Sequence, residues 1–260
     1  MGTLNQIFIG FDPLAAAAFA VTRNSARANL TQQLPISGIV LEHLQDCGLY
    51  TRPTKITISN DGRRQLIDVL SSRSDYDGRI STPHAIARFL VPHLASTGWA
   101  LFMDGDMLVR GNLARIFDRL DRTYAVYCVK HNHEPPTNTK MGGFQQTRYS
   151  HKNWSSVMIF NVGHEANKRL TLEAVNTLAG RDLHRFAWLK DEEIGELDPK
   201  WNWLAGYSDP KINPEIVHFT DGVPDMRGYE HQPYADEWRE ALVRWAGNYS
   251  AVKVIDRAYA

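Results

Sequence analysis

The stretch Trp99–Val109, WALFMDGDMLV, places two carboxylates immediately after a run of large apolar residues. Trp99–Met103 fits a strand buried on both faces, because parallel sheets replace alternating polarity with continuous apolar runs. Asp104 and Asp106 then fall at or just beyond its carboxyl end, the edge where open α/β sheets bind ligands. Residues i and i+2 of an extended segment point the same way, so the two carboxylates can converge. Two anions so close repel each other unless a cation or proton lies between them. Gly105, without a side chain, leaves room for a ligand to approach the backbone. A divalent cation carrying a phosphorylated substrate satisfies all of these demands.

A second D-x-D, Asp75–Asp77 in SRSDYDGR, has no apolar strand feeding it and reads as a solvated loop. The pair Asp104–Asp106 therefore carries the chemistry. Arg88 lies on the helix before the metal strand, and its planar fork suits a diphosphate or sugar hydroxyls. In EIVHFTDG (Glu215–Gly222), His218 ends an apolar strand beside a turn. Carboxylates plus one imidazole suit an octahedral Mn²⁺ or Mg²⁺ site better than a thiolate-rich zinc site. LKDEEIG (Leu189–Gly195) sets Asp191, Glu192 and Glu193 in succession. On a helix these point about 100° apart, so not all three can face one site. The Lys130–His133 run, KHNH, lacks an acidic partner at metal-site spacing.

Around these segments, strands and helices alternate. Strands are expected at Gln6–Gly10, Lys55–Ser59, Tyr124–Lys130, Val157–Asn161 and Ile216–Phe219. Helices are expected at Leu14–Ala28, from Thr82 as N-cap with Pro83 first to about Pro92, and near Asn112–Leu120. Further helices are expected at Glu165–Leu178, Trp188–Leu197 and Tyr234–Gly247, while ISGIVLEHL fits either state. The rhythm predicts an α/β domain with a mainly parallel sheet covered on both faces. With no repeat and no linker, residues 1–260 read as a single domain. The polar segment His131–Trp154, containing Gly142–Gly143, reads as a lid or acceptor loop that orders when donor binds.

Composition excludes several roles. Lys+Arg and Asp+Glu number 29 each, which argues against a nucleic-acid or anionic-membrane partner while permitting a local basic pocket. Two cysteines, Cys47 and Cys128, with no C-x-x-C point to a reducing, cytoplasmic setting. No run reaches transmembrane length. PLAAAAFAV (Pro13–Val21) is apolar like a signal-peptide core. It follows a strand and no basic stretch, so it reads as a buried helix.

Taken in order, these segments resemble family 8 retaining glycosyltransferases, the glycogenin and lipopolysaccharide galactosyltransferase group. The similarity runs from the first strand to about Gly222. The resemblance implies a GT-A-type nucleotide-diphospho-sugar transferase domain, its central mixed, mostly parallel sheet flanked by helices. IFIGFDPLAAAAFAV is similar to the opening strand, nucleotide loop and helix, which implies donor contacts from Gly10, Phe11 and Asp12. TPHAIARFLVPHL is similar to the helix whose arginine reaches the donor, here Arg88. LFMDGDMLVRGNLARIF implies Asp104 and Asp106 as metal ligands with Gly105 beside the donor, and IVHFTDG implies His218 as third ligand with Gly222 in the donor turn. KDEEIGEL…KWNWL is similar to the family's acidic motif and its Trp-Asn sequel. That similarity implies Asp191 holding the donor sugar and Glu192 facing the anomeric carbon.

The chain departs from the pattern in four places, one of them the aromatic that often stacks on uracil, which has no counterpart near Leu14. Trp154-Ser155-Ser156 stands where the family has Asn-Ala-Gly, placing Ser156 near the donor, and Glu192 replaces a glutamine. HFTDGVPDM offers no lysine where the family's Lys-Pro-Trp binds diphosphate, and Arg227 lies well beyond that point. The implied activity is Mn²⁺- or Mg²⁺-dependent hexosyl transfer from a UDP-sugar to a glycan, lipid-linked or protein acceptor. The alternatives are a metal-dependent phosphohydrolase or nucleotidyltransferase, and a non-catalytic nucleotide-sugar-binding protein.

Overall fold

The computed structural model describes residues 5–58, 64–73, 78–80, 82–131, 139–140, 144–145 and 153–246. The chain opens with β1 (Gln6–Gly10), α1 (Ala16–Ala28), β2 (Ile36–Ile39) and α2 (Leu41–Asp46). A hairpin of β3 (Thr54–Ile58) and β4 (Arg64–Asp68) follows, then β5 (Arg79–Ile80), α3 (Val91–Leu94), β6 (Trp99–Met103), β7 (Met107–Val109) and β8 (Val126–Cys128). After the short pair β9 (Thr139–Lys140) and β10 (Phe144–Gln145) come β11 (Val157–Asn161), α4 (Leu172–Thr177) and α5 (Gly180–His184). The chain continues through β12 (Ile194–Glu196), β13 (Trp203–Leu204), β14 (Ile216–His218) and α6 (Ala235–Ala246).

Six strands form the central sheet in the order β12-β8-β11-β6-β1-β2. Only β11 runs antiparallel to its neighbours; the other pairings are parallel. Side-chain alternation along β6 shows why its run is wholly apolar. Ala100 and Phe102 face a core built with Phe89, Leu90 and Leu183, whereas Trp99, Leu101 and Met103 face one built with Leu113, Ile116 and Trp201. Both faces are covered, so a polar residue on either would lose its water. A smaller sheet, β13-β14-β7, packs with α1 and α6 around Leu108, Val217 and Trp238. The sheet β3-β4-β5 is antiparallel.

Several expected helices take other forms. Thr82 does cap the turn opening at Pro83, accepting from His84 N–H, but Pro83–Leu90 winds as a 3-10 helix. Pro92 has no N–H to give to Arg88 O, and Val91 N–H supplies that bond instead. The segment near Asn112–Leu120 is one 3-10 stretch, Leu113–Phe117, and Glu165–Leu178 divides where Thr171 caps α4. ISGIVLEHL uses both of its options, as β2 and then α2.

The expected acidic helix Trp188–Leu197 is absent. A single 3-10 turn, Asp191–Glu193, leads straight into β12. Gly195 lies opposite Tyr127 in that ladder, and a Cβ there would come within 2.4 Å of the Tyr127 ring. This glycine serves strand packing, and glycine is a poor helix former. Asp75–Asp77 and most of His131–Trp154, including His133 and Gly142–Gly143, lie outside the described residues.

Candidate active site

The chain leaves the central sheet after Met103 and enters the small sheet at Met107, so Asp104-Gly105-Asp106 forms the corner between them. Antiparallel pairing of β14 with β7 sets His218 opposite Met107, one residue from Asp106. Register alone thus brings together side chains more than a hundred positions apart. Ligand atoms of Asp104, Asp106 and His218 all lie within 4.8 Å of one another, and His218 Nε2 is 3.4 Å from Asp106 Oδ1. An octahedral ion with bonds of about 2.1 Å spaces its ligands about 3.0 to 4.2 Å apart. The donor set suits such an ion once its wider-spaced atoms draw together.

Helix α1 fixes the corner from behind. Thr22 Oγ1 accepts from Met107 N–H (2.9 Å), and its proton has the carbonyls of Gly105 (2.9 Å) and Met107 (2.7 Å) in reach. Ser25 Oγ accepts from Val109 N–H, and Asn29 Nδ2 donates to Val109 O. Thr22, Ser25 and Asn29 follow helical spacing along one face, so α1 satisfies the edge of β7 as a strand would. Gly105 has a different role from the expected one. A Cβ on it would come 2.3 Å from Gly10 O, so the space belongs to the end of β1 and not to a ligand.

Arg88 joins the site directly. Its guanidinium grips the Asp104 carboxylate with two nitrogens, at 2.8 and 3.2 Å, and donates to Ser155 O at 2.8 Å. It also packs over the Phe102 ring, 4.9 Å from the centroid. Burial raises the Asp104 pKa above the usual carboxylate range, the Arg88 charge opposes that shift, and Asp106 adds to it. Asp12 lies on the neighbouring strand end, accepting from Leu14 N–H and from the Thr82 hydroxyl. Phe11 packs edge-on against Phe19. Gly222 packs under Tyr229, where a Cβ would come 2.9 Å from the ring, and its carbonyl accepts from Gln232. Tyr207 donates to Asp221 at 2.5 Å, and burial with that bond pushes its hydroxyl up to about 12.

Asp191 and Glu192 are not brought to this cluster. Glu193 O accepts from Ala125 N–H, level with Asn161 and hence with Trp99, at the amino edge of the sheet. Asp104 lies five residues further along β6, about 16 Å at strand rise, and β6 is three strands across the sheet from β12. Both acids are exposed, and Glu193 pairs with Arg169 and caps Lys190 N–H. Arg227 is exposed, nine residues past His218.

Sequence reasoning missed two contributors. Ser155 Oγ lies 2.7 Å from His184 Nδ1, and Asn202 is fully buried against His218. The apolar neighbours of Asn202 in WNWL were the available signal, since a buried amide needs a polar partner.

The sequence matches no protein-family model. Protein CDI from Arabidopsis thaliana is 38% identical over 239 residues, 90% of this chain and 84% of that protein. The bifunctional glycosyltransferase WbbM superposes with a TM-score of 0.57 at 13% identity over 93% of this chain, which spans only 50% of WbbM. The galactosyltransferase LgtC, solved with donor and acceptor sugar analogues, gives 0.55 at 14% identity, covering 96% of this chain and 98% of that one. At these identities the likeness is one of fold, the GT-A glycosyltransferase fold with its mixed, mostly parallel sheet. No helix among the described residues is long and apolar enough to cross a membrane.

Proposed function

The chain belongs to the family of Protein CDI from Arabidopsis thaliana, and from its fold and site we propose that it is a metal-dependent retaining glycosyltransferase of the family 8 type. The donor would be a nucleoside-diphosphate sugar, a UDP-sugar by the resemblance, and the transferred group a hexose. The observation that carries this reading is the convergence of Asp104, Asp106 and His218 where the two sheets meet. These three residues would hold Mn²⁺ or Mg²⁺, which when bound supplies Lewis-acid stabilisation of the departing diphosphate.

The remaining residues bind and orient. Arg88 keeps a permanent positive charge beside the carboxylates and is held against Ser155 O, in place for a diphosphate oxygen. The end of β1, backed onto Gly105, offers the backbone of Gly10 and Phe11 and the N-capping Asp12 for the nucleoside. The distance of Glu192 from the cluster favours a front-face route over attack by that carboxylate. In that route the acceptor oxygen enters on the side the diphosphate leaves, and its proton passes to the departing phosphate oxygen.

Incubation with a panel of nucleotide sugars and Mn²⁺, reading nucleoside diphosphate release, tests the proposal. Release that requires the metal and disappears in Asp106→Asn is expected. Release of inorganic phosphate from simple esters would favour the phosphohydrolase reading. Metal-dependent binding without release from any donor would favour a binding protein.

A further inference from the structure

The amide of Asn202 has only one orientation that satisfies its surroundings. Its Nδ2 lies 3.3 Å from the Asn153 carbonyl and 2.8 Å from Ser156 Oγ, which itself donates to that carbonyl at 2.7 Å. A carbonyl oxygen can only accept, so turning the amide over would press two oxygens together. Asn202 is fully buried and Ser156 nearly so, leaving no water to relieve such a clash. The Asn202 oxygen therefore faces His218, 3.1 Å from Nδ1. Only a protonated Nδ1 can meet it. In the neutral ring that places the Nε2 lone pair toward Asp106 Oδ1, and two acceptors 3.4 Å apart are stabilised by a cation between them.

We propose that Asn202 and Ser156 are positioning residues that fix the tautomer and ring orientation of His218, so that Nε2 is presented to a divalent cation. The inference rests on the metal-site reading above and extends it beyond the three ligands. Ser156 also accepts the Asp104 N–H through its own carbonyl, at 3.0 Å. One serine thus braces two ligands from opposite sides, Asp104 by its backbone and His218 by way of Asn202. Its hydroxyl is consumed in this role, which separates it from the donor contact that the resemblance implies. Asn153, at the left-handed φ of 65°, aims the carbonyl that starts the chain of bonds. Outer partners of this kind typically change metal affinity 10- to 100-fold when removed.

The test reads the tautomer itself. Metal-free protein labelled with ¹⁵N-histidine, at a pH where the ring is neutral, is compared with His218→Gln to assign the His218 nitrogens. A proton on Nδ1 is expected, and one on Nε2 would overturn the inference, whether or not the protein binds metal. Mn²⁺ titration then measures the consequence. Asn202→Ala should weaken binding about 10- to 100-fold and Ser156→Ala by less. Should Asn202→Ala not fold, Ser156→Ala carries the same comparison. Folded variants with wild-type affinity would remove the positioning role. Wild-type protein that shows Nδ1–H and binds no Mn²⁺ would instead defeat the metal reading and leave the tautomer lock standing.

Discussion

At Gly105 the gap between two carboxylates is filled by another part of the backbone. The D-x-D and its placement after an apolar run are legible from local polarity and strand period, whereas His218 as their partner rests on the family resemblance. The reason for the glycine is not legible, since the obstructing atom, Gly10 O, belongs to a strand ninety-five positions earlier. Gly105→Ala should therefore lower stability by about 1 to 3 kcal/mol, through overpacking against an immovable carbonyl. Urea unfolding measures this as a lower midpoint at unchanged slope. If glycine merely left room for ligand, stability would be unaffected and only donor affinity would fall.

The acidic run was misread at the level of elements. Three consecutive acids with flanking apolar residues suit a helix by composition, yet Ile194-Gly195-Glu196 was recruited as an edge strand by β8. Tertiary pairing outweighed local preference, as it often does for short segments. The carboxylates that gather beside His218 are consequently Asp104 and Asp106, not Asp191 or Glu192. Glu192→Gln should leave donor turnover within about twofold of wild type, as is typical of exposed positions away from special features. Loss of transfer by the folded variant would show that the 191–193 turn reaches the donor.

Another element was invisible in sequence. Arg52 and Asp68, both fully or nearly fully buried, pair at 2.5 Å, and Arg52 donates to the carbonyls of Val175 and Leu178, tying the β3–β4 hairpin to α4. Nothing in local spacing announces a bond between a loop arginine and the end of a distant helix. Arg52→Met should cost about 3 to 5 kcal/mol, because it strands a buried carboxylate. Urea titration checks it, and a cost below about 1 kcal/mol would mean that water reaches the pair.

For the whole molecule, the sheet order with β11 reversed brings the strand ends at Gly10 and Met103 side by side, while the small sheet carries His218 across to them. The α/β class and the parallel pairings followed from strand–helix alternation. The second sheet did not, because its three strands are only two or three residues long and carry no periodicity. The arrangement couples ligand binding to global stability, since the ligand set exists only while both sheets are docked. Mn²⁺ with UDP at one hundred times the dissociation constant should add about 2.7 kcal/mol. For a domain of this size that raises the melting temperature by about 5 to 10 °C. Asp104→Asn and Asp106→Asn should fold, keep the ligand-free transition near the wild-type value, and lose the metal-dependent rise. Magnesium or manganese raising the transition equally in Asp106→Asn would place the ion elsewhere on the molecule. A rise with UDP alone, unchanged by chelator, would instead make Arg88 and the β1 end the principal holders of the nucleotide.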